Sequence, residues 1–209
     1  MSRRAMTWSR ADRPGAASQS VGWAAWPLAA RLFRAAAGRG AAFTKHLGLL
    51  LSGYILWLLV SLKLLENTRV SILLAVALVA GLSLAVSPRQ RLATLWCEQR
   101  RLLLIGEIVF LVAFVGYLAF RAYDPAINHT EKPMDFGFLN AILRSRTFPP
   151  NDMWLSGYAI SYYYFGYLLM ATLTKLSAVP SGIGYNLALG TVFALTITGA
   201  YGLVHDLVA

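Results

Sequence analysis

Glu131, Asp135 and Asp152 stand in one stretch of an otherwise apolar chain, followed at once by Tyr162, Tyr163 and Tyr164. A carboxylate at a membrane–water boundary can accept the proton of an attacking hydroxyl, orient a sugar or hold a divalent cation. A tyrosine ring tolerates apolar surroundings while its hydroxyl bonds a phosphate or stacks its ring on a sugar. Asp135 and Glu131 are thus candidate catalytic acids, and the three tyrosines, with Trp154 just before them, candidate substrate contacts. Each also has a plain structural reading. Asp135 would favour the first turn of a helix through the helix dipole. Glu131 would pair with Lys132 in a solvated loop, and one or two of the tyrosines would anchor an aromatic belt at the interface.

The remaining polar residues carry weaker signals. His129 and Glu131 form an H-x-E pair, a poor metal signature with no second histidine near. His46 and His205 flank apolar segments, so both are expected at interfaces. Asp124 precedes Pro125 and reads as a turn cap. Glu107 lies inside an apolar run, where an ionisable group is either functional or paired with Arg100, Arg101 or a neighbouring helix. The single cysteine, Cys97, excludes an internal disulfide and a cysteine-based metal cluster.

These residues must be positioned by membrane helices. The chain has 209 residues, 57% of them hydrophobic and 13% charged, whereas soluble domains carry about 25% charged residues. The net charge of +10 does not indicate a nucleic-acid partner, because the arginines sit at the ends of apolar runs. The fold class is therefore all-α and multispanning, with five predicted transmembrane helices near residues 47–63, 70–86, 102–120, 158–176 and 183–204. Residues 1–45 form a basic tail, either disordered or containing a short amphipathic helix in "WAAWPLAARLFRAAAG". Arg3 and Arg4 resemble the start of a twin-arginine signal, but no apolar segment follows closely.

Of the 19 lysines and arginines, thirteen fall in the tail, the 87–101 connection and Lys175, and six near the first turn and in the 121–157 loop. The positive-inside rule then puts the N-terminus in the cytoplasm and the 121–157 loop outside the plasma membrane. Within that loop "FPPND" marks a turn. Phe138, Leu139, Ile142 and Leu143 fall on one stripe of a helix at about 100° per residue, with Asn140 and Arg144 opposite. Asp135 falls in the middle of that stripe, where a carboxylate is costly unless paired or functional. The spacing predicts an amphipathic helix lying along the outer interface.

"TEKPMDFGFLNAILRSRTFPPNDMWLSGYAISYYYFGYLL" resembles the signature of the Chlor-Arch-YYY family, multispanning membrane proteins named for the triple tyrosine. The likeness runs through "PSGIGYNLALGTVFALTITGAYGL" and covers about residues 47–209. Met153 and Ser161 depart from it, where proline and asparagine are expected. The family layout is similar to GT-C-fold glycosyltransferases, which use polyprenyl-phosphate sugars at the outer membrane face. That resemblance implies that Asp135 or Glu131 is the first essential acid and Asp152 the second. It also implies a lipid-linked sugar donor, whose phosphate would lie near Lys132, Arg144 or Arg146; a divalent cation is a candidate cofactor of the acids themselves. GT-C enzymes have more than five spans, so the chain is expected to be the N-terminal part of a longer protein. The alternative is a non-catalytic transporter or assembly scaffold, whose loop packs against a partner.

Overall fold

The computed structural model describes residues 14–87 and 89–209. The Arg3–Arg4 pair lies outside the described residues. Seven α-helices are present among them: α1 (Pro14–Leu32), α2 (Thr44–Ser61), α3 (Arg69–Ala85), α4 (Arg89–Arg121), α5 (Lys132–Arg144), α6 (Phe165–Ser177) and α7 (Ser181–Val208). A short 3-10 turn, Ala41–Phe43, leads into α2. The described residues form no β-strand, only an isolated bridge between Asn151 and Ala159.

Three segments are long and apolar enough to cross a membrane: Ala41–Ser61, Leu92–Arg121 and Ser181–Val208. α3 is a shorter apolar helix of 17 residues. Side chains such as Leu73, Leu78, Ile108 and Val112 are exposed on their surfaces, as lipid-facing positions must be. The ends of these helices sort into two faces. On one, Asp206 of α7 accepts from the Gly38 amide, and Gln99 of α4 donates to the carbonyls of Gly38 and Arg39. On the other, the α2–α3 turn meets the end of α5. Asn67 donates through Nδ2 to Ile142 O and Ser145 O at 2.8 and 2.9 Å, and through its backbone N–H to Arg146 O at 2.8 Å.

The fourth predicted span differs. Residues 158–164 are irregular, and the helix that follows, α6, has 13 residues. At 1.5 Å per residue it reaches about 20 Å, short of the roughly 30 Å hydrocarbon core. Its basic end does not reach the opposite face. Lys175 Nζ donates to Asn67 O at 2.6 Å, in the α2–α3 turn. α7 accordingly starts beside the end of α4, where Arg121 Nε donates to Asn186 Oδ1 at 2.8 Å, and ends beside Gly38. Lys175 thus belongs with the loop face, and among the described residues the lysines and arginines divide eight to seven between the two faces.

From Pro14 onward the basic tail is more ordered than its composition indicates. α1 packs between α2 and α3 through Val21, Ala25 and Ala29, all at most 1% exposed. Small residues permit the approach: a Cβ on Gly48 would stand 2.1 Å from the Val21 carbonyl oxygen. Glu107 is paired inside this bundle, with Lys45 of α2 and Gln19 of α1. Lys45 Nζ also lies 4.9 Å from the centroid of the Phe110 ring. Glu107 is therefore a structural ion pair, with a neighbouring helix and not with Arg100 or Arg101.

Candidate functional site

α5 forms where the sequence places it, with Pro133 in its first turn and Phe138, Leu139 and Ile142 buried. It lies on the core that α2, α3, α6 and α7 build from Leu56, Val60, Ile72, Leu168 and Tyr185. Asp135 faces this packed side. Tyr167 of α6 donates its hydroxyl to Asp135 Oδ1 at 2.6 Å, and Tyr185 of α7 approaches Oδ2 at 3.5 Å. A carboxylate on the apolar stripe is thus matched by two phenols from other helices, which satisfies the cost of its partial burial.

The carboxylate stands at the edge of a cavity of about 310 Å3 between α5, α6 and α7. Leu139, Met170, Leu189 and Val192 supply apolar walls, and Tyr163, Tyr167 and Tyr185 supply the hydroxyls. Val192 is 49% exposed on α7, so the cavity opens along the apolar surface of a spanning helix. Burial first, and then the bond to Asp135, hold the Tyr167 hydroxyl well above the ordinary phenol range, which keeps it a proton donor.

The three adjacent tyrosines divide. They lie on irregular backbone before α6, although the fourth predicted span, 158–176, includes them. Tyr164 points inward and accepts from Trp57 Nε1 at 2.8 Å. Tyr162 stacks on Phe138 at 5.2 Å and on Tyr163 at 4.0 Å, and its hydroxyl bonds that of Tyr163 at 2.7 Å. That bond, and then desolvation, push the Tyr162 hydroxyl up to about 12, with smaller contributions from the charges of Tyr163, Glu131 and Asp135. Trp154 is 69% exposed and sets its edge against Phe138 at 6.2 Å. Asp135 and Tyr163 therefore meet at the cavity, with Tyr162 and Trp154 one ring away across Phe138.

Other candidates lie apart from it. Glu131 is the exposed residue preceding α5 and lines no part of the cavity. Lys132 Nζ and Asp124 Oδ2 are 3.9 Å apart. Asp124 also accepts from the Ala126 amide, the expected turn cap. Asp152 accepts from the Trp154 and Leu155 amides at 2.8 and 2.9 Å, which commits its Oδ1 to closing the loop. Arg144 is exposed, and Arg146 pairs with Glu66 at 3.3 Å. His46 is half-buried, and its Nε2–H donates to Leu195 O at 2.9 Å, between α2 and α7. Among the described residues no three His, Cys, Asp or Glu side chains gather as a metal site.

Met153 lies across α5, with its sulfur where a Cβ on Gly137 would fall at 1.8 Å. The thioether at this position thus fills the space beside a residue that has no side chain. Tyr167 and Tyr185 are not evident from sequence; Tyr167 and Met170 share a face of α6 at helical spacing, a signal usable only once α6 is known to begin at Phe165.

Residues 51–209 match the model of an uncharacterized membrane protein family, DUF2298, the Chlor-Arch-YYY family. The chain belongs to that family. The DUF2298 match spans α5, the tyrosines, α6 and α7, so every residue around the cavity lies inside it. No curated protein and no solved structure matches the chain.

Proposed function

We propose that this DUF2298 protein is a glycosyltransferase of GT-C type, and that Asp135 acts on the acceptor of a lipid-linked sugar. One observation carries the reading: an acid held by two tyrosine hydroxyls at the edge of an apolar cavity that opens along α7. A polyprenyl chain needs apolar walls reached from the bilayer, and its sugar needs polar groups and an aromatic face at the interface. The cavity walls would take the first isoprene units, while Tyr163 and the Tyr162 ring would border the sugar.

In the reaction the acceptor oxygen bonds to the anomeric carbon as the bond from that carbon to the phosphate oxygen breaks. The electron pair leaves with the polyprenyl phosphate, and the acceptor proton passes to Asp135. Tyr167, bonded to Oδ1, fixes the carboxylate while leaving Oδ2 the freer oxygen. Lys132 lies one turn before Asp135 on α5 and is the cation nearest in sequence for the departing phosphate. The cavity offers a divalent cation one carboxylate and phenols, and the transfer proposed uses the side chains alone. In this reading the chemistry lies outside the cell and the N-terminal side in the cytoplasm, which the distribution of lysine and arginine over the full sequence favours.

The test is Asp135→Asn in the full-length protein, assayed in membranes with radiolabelled polyprenyl-phosphate sugars at matched protein levels. Transfer is expected to fall at least 100-fold, within the range for loss of a general base, while Asp124→Asn keeps near-normal activity. Undiminished transfer in Asp135→Asn removes the assignment. Absence of transfer in the parent with every donor tried favours the scaffold reading instead.

A further inference from the structure

On the face opposite the loop, a second cavity of about 400 Å3 lies where the end of α1, the turn after it, the end of α3 and the start of α4 meet. Three arginines border it: Arg31, Arg34 and Arg39. Pro27, Val86 and Leu95 form its less polar sides. Arg31 donates through Nη1 to the Val86 carbonyl, which closes the gap between α1 and α3 and leaves its other N–H groups available. Arg39 pairs with Glu98 at 2.6 Å across an exposed contact. Among the described residues no ion pair or hydrogen bond engages the Arg34 guanidinium. Three guanidinium groups against one carboxylate leave the cavity with an excess of two positive charges.

This turn is built and not a loose tail. Gln99, 4% exposed, accepts from Trp26 Nε1 at 2.7 Å and donates to the carbonyls of Gly38 and Arg39. The bond from Asp206 of α7 to Gly38 fixes the same turn from the other side. Trp23, Trp26 and Trp96 meet beside it, with ring centroids 5.9–6.2 Å apart. Trp23 and Trp96 are each 43% exposed, as interfacial anchors are. The arginines therefore sit at headgroup depth, next to aromatic rings that mark the bilayer boundary.

We infer that this cavity binds a phosphate monoester or diester anion, with an anionic phospholipid headgroup as its source in the membrane. Arginine forks match phosphate oxygens in pairs, and the excess charge selects an anionic over a zwitterionic headgroup. The site is independent of the Asp135 cavity, from which it is separated by the length of the bundle. Its occupant would add to the polar contacts that already tie α1 and its turn to α3 and α4.

Native mass spectrometry of the detergent-solubilised chain tests the site. Phosphatidylglycerol and phosphatidylcholine with identical acyl chains are supplied at equal mole fraction. Retained phosphatidylglycerol should exceed phosphatidylcholine at least five-fold, and Arg31→Gln/Arg34→Gln should abolish the difference. Arg100→Gln/Arg101→Gln removes the same charge from the neighbouring surface of α4 and should leave the preference intact. Arg31→Lys/Arg34→Lys retains charge without the fork and should keep an intermediate preference, which protects the test if the glutamine pair does not fold. Inorganic phosphate distinguishes the sources. If it displaces the lipid at low millimolar concentration, or binds in an arginine-dependent way where no lipid is retained, the anion is free phosphate. Equal retention of the two lipids without such phosphate binding overturns the inference, as does a preference that survives the glutamine pair or is lost equally in the Arg100/Arg101 control.

Discussion

Tyr167 on α6 donates its hydroxyl to Asp135 on α5 at 2.6 Å, joining residues 32 apart in the chain. This bond defines the orientation of the acid and, with the buried stripe of α5 and the Asn67 bonds, docks that helix onto the bundle. Tyr167→Phe keeps the ring and removes the donor. Its expected cost is about 1.5–3 kcal/mol, the range for hydrogen bonds to charged groups, read as a lowered unfolding midpoint in detergent. The pH dependence has a definite sign. A phenol held above its unfolded value of about 10 contributes stability that is fully present below pH 10 and is lost as the pH rises from there towards the folded value. The parent should therefore lose stability above pH 10 more steeply than Tyr167→Phe.

The adjacent tyrosines should separate under the same substitution. Tyr164 accepts from Trp57 Nε1 at 2.8 Å in a partly buried contact, so Tyr164→Phe leaves an indole N–H without its partner. A loss of about 1–2 kcal/mol follows. The Tyr162 hydroxyl bonds only its neighbour, on the exposed side, so Tyr162→Phe should unfold within about 0.5 kcal/mol of the parent. Equal midpoints for the two variants would contradict the inward placement of Tyr164.

α5 was legible because its apolar residues repeat at helical spacing and two prolines end the region after it. Asp135 was legible for the same reason, as the one charge on the wrong side of that wheel. α6 was misread because "GYAISYYYFGYLLMATLTKLS" is apolar enough to span, while the irregular backbone over its first residues is set by tertiary contacts. The Asn151–Ala159 bridge and the Ile160 bond to Pro150 O hold that segment as a loop, and neither has a sequence signature. Tyr185 is a similar case: its role depends on α7 starting at the loop face, which only the shortness of α6 determines. In the tail, arginines spread over the sequence obscured the small, buried face of α1.

The packing of α1 gives a prediction with an internal control. At Gly48 an added methyl meets the Val21 carbonyl oxygen at 2.1 Å, and that backbone cannot move without shifting α1. Gly48→Ala should destabilise by about 2–4 kcal/mol, comparable to overpacking a core. Limited proteolysis should then cut within residues 14–32. Gly106→Ala meets nothing within 4 Å and should be neutral or stabilise by up to about 1 kcal/mol, since alanine is the better helix former. Resistance of α1 to protease in Gly48→Ala would show that the helix does not pack as closely as this.

The last prediction concerns the path of the chain after the loop. A helix crossing at 158–176 would leave the Ala178–Pro180 connection on the cytoplasmic side. The Lys175 bond to Asn67 O and the Asn186 bond from Arg121 place it instead with the 121–157 loop. Burial, and then the charge of Arg69, lower the Lys175 ammonium to about 8. Single cysteines at Asn151 and Pro180, introduced with Cys97→Ser, should both react with a membrane-impermeant maleimide added to intact cells. Native Cys97 is exposed beside Glu98, on the face of Arg39 and Gly38, and should react only after permeabilisation. Labelling at Asn151 but not at Pro180 would mean that α6 crosses, which would detach Tyr185 from Asp135 and dismantle the cavity. Labelling of Cys97 alone in intact cells would instead turn the whole bundle over, leaving its internal geometry intact but moving the carboxylate to the cytoplasmic side.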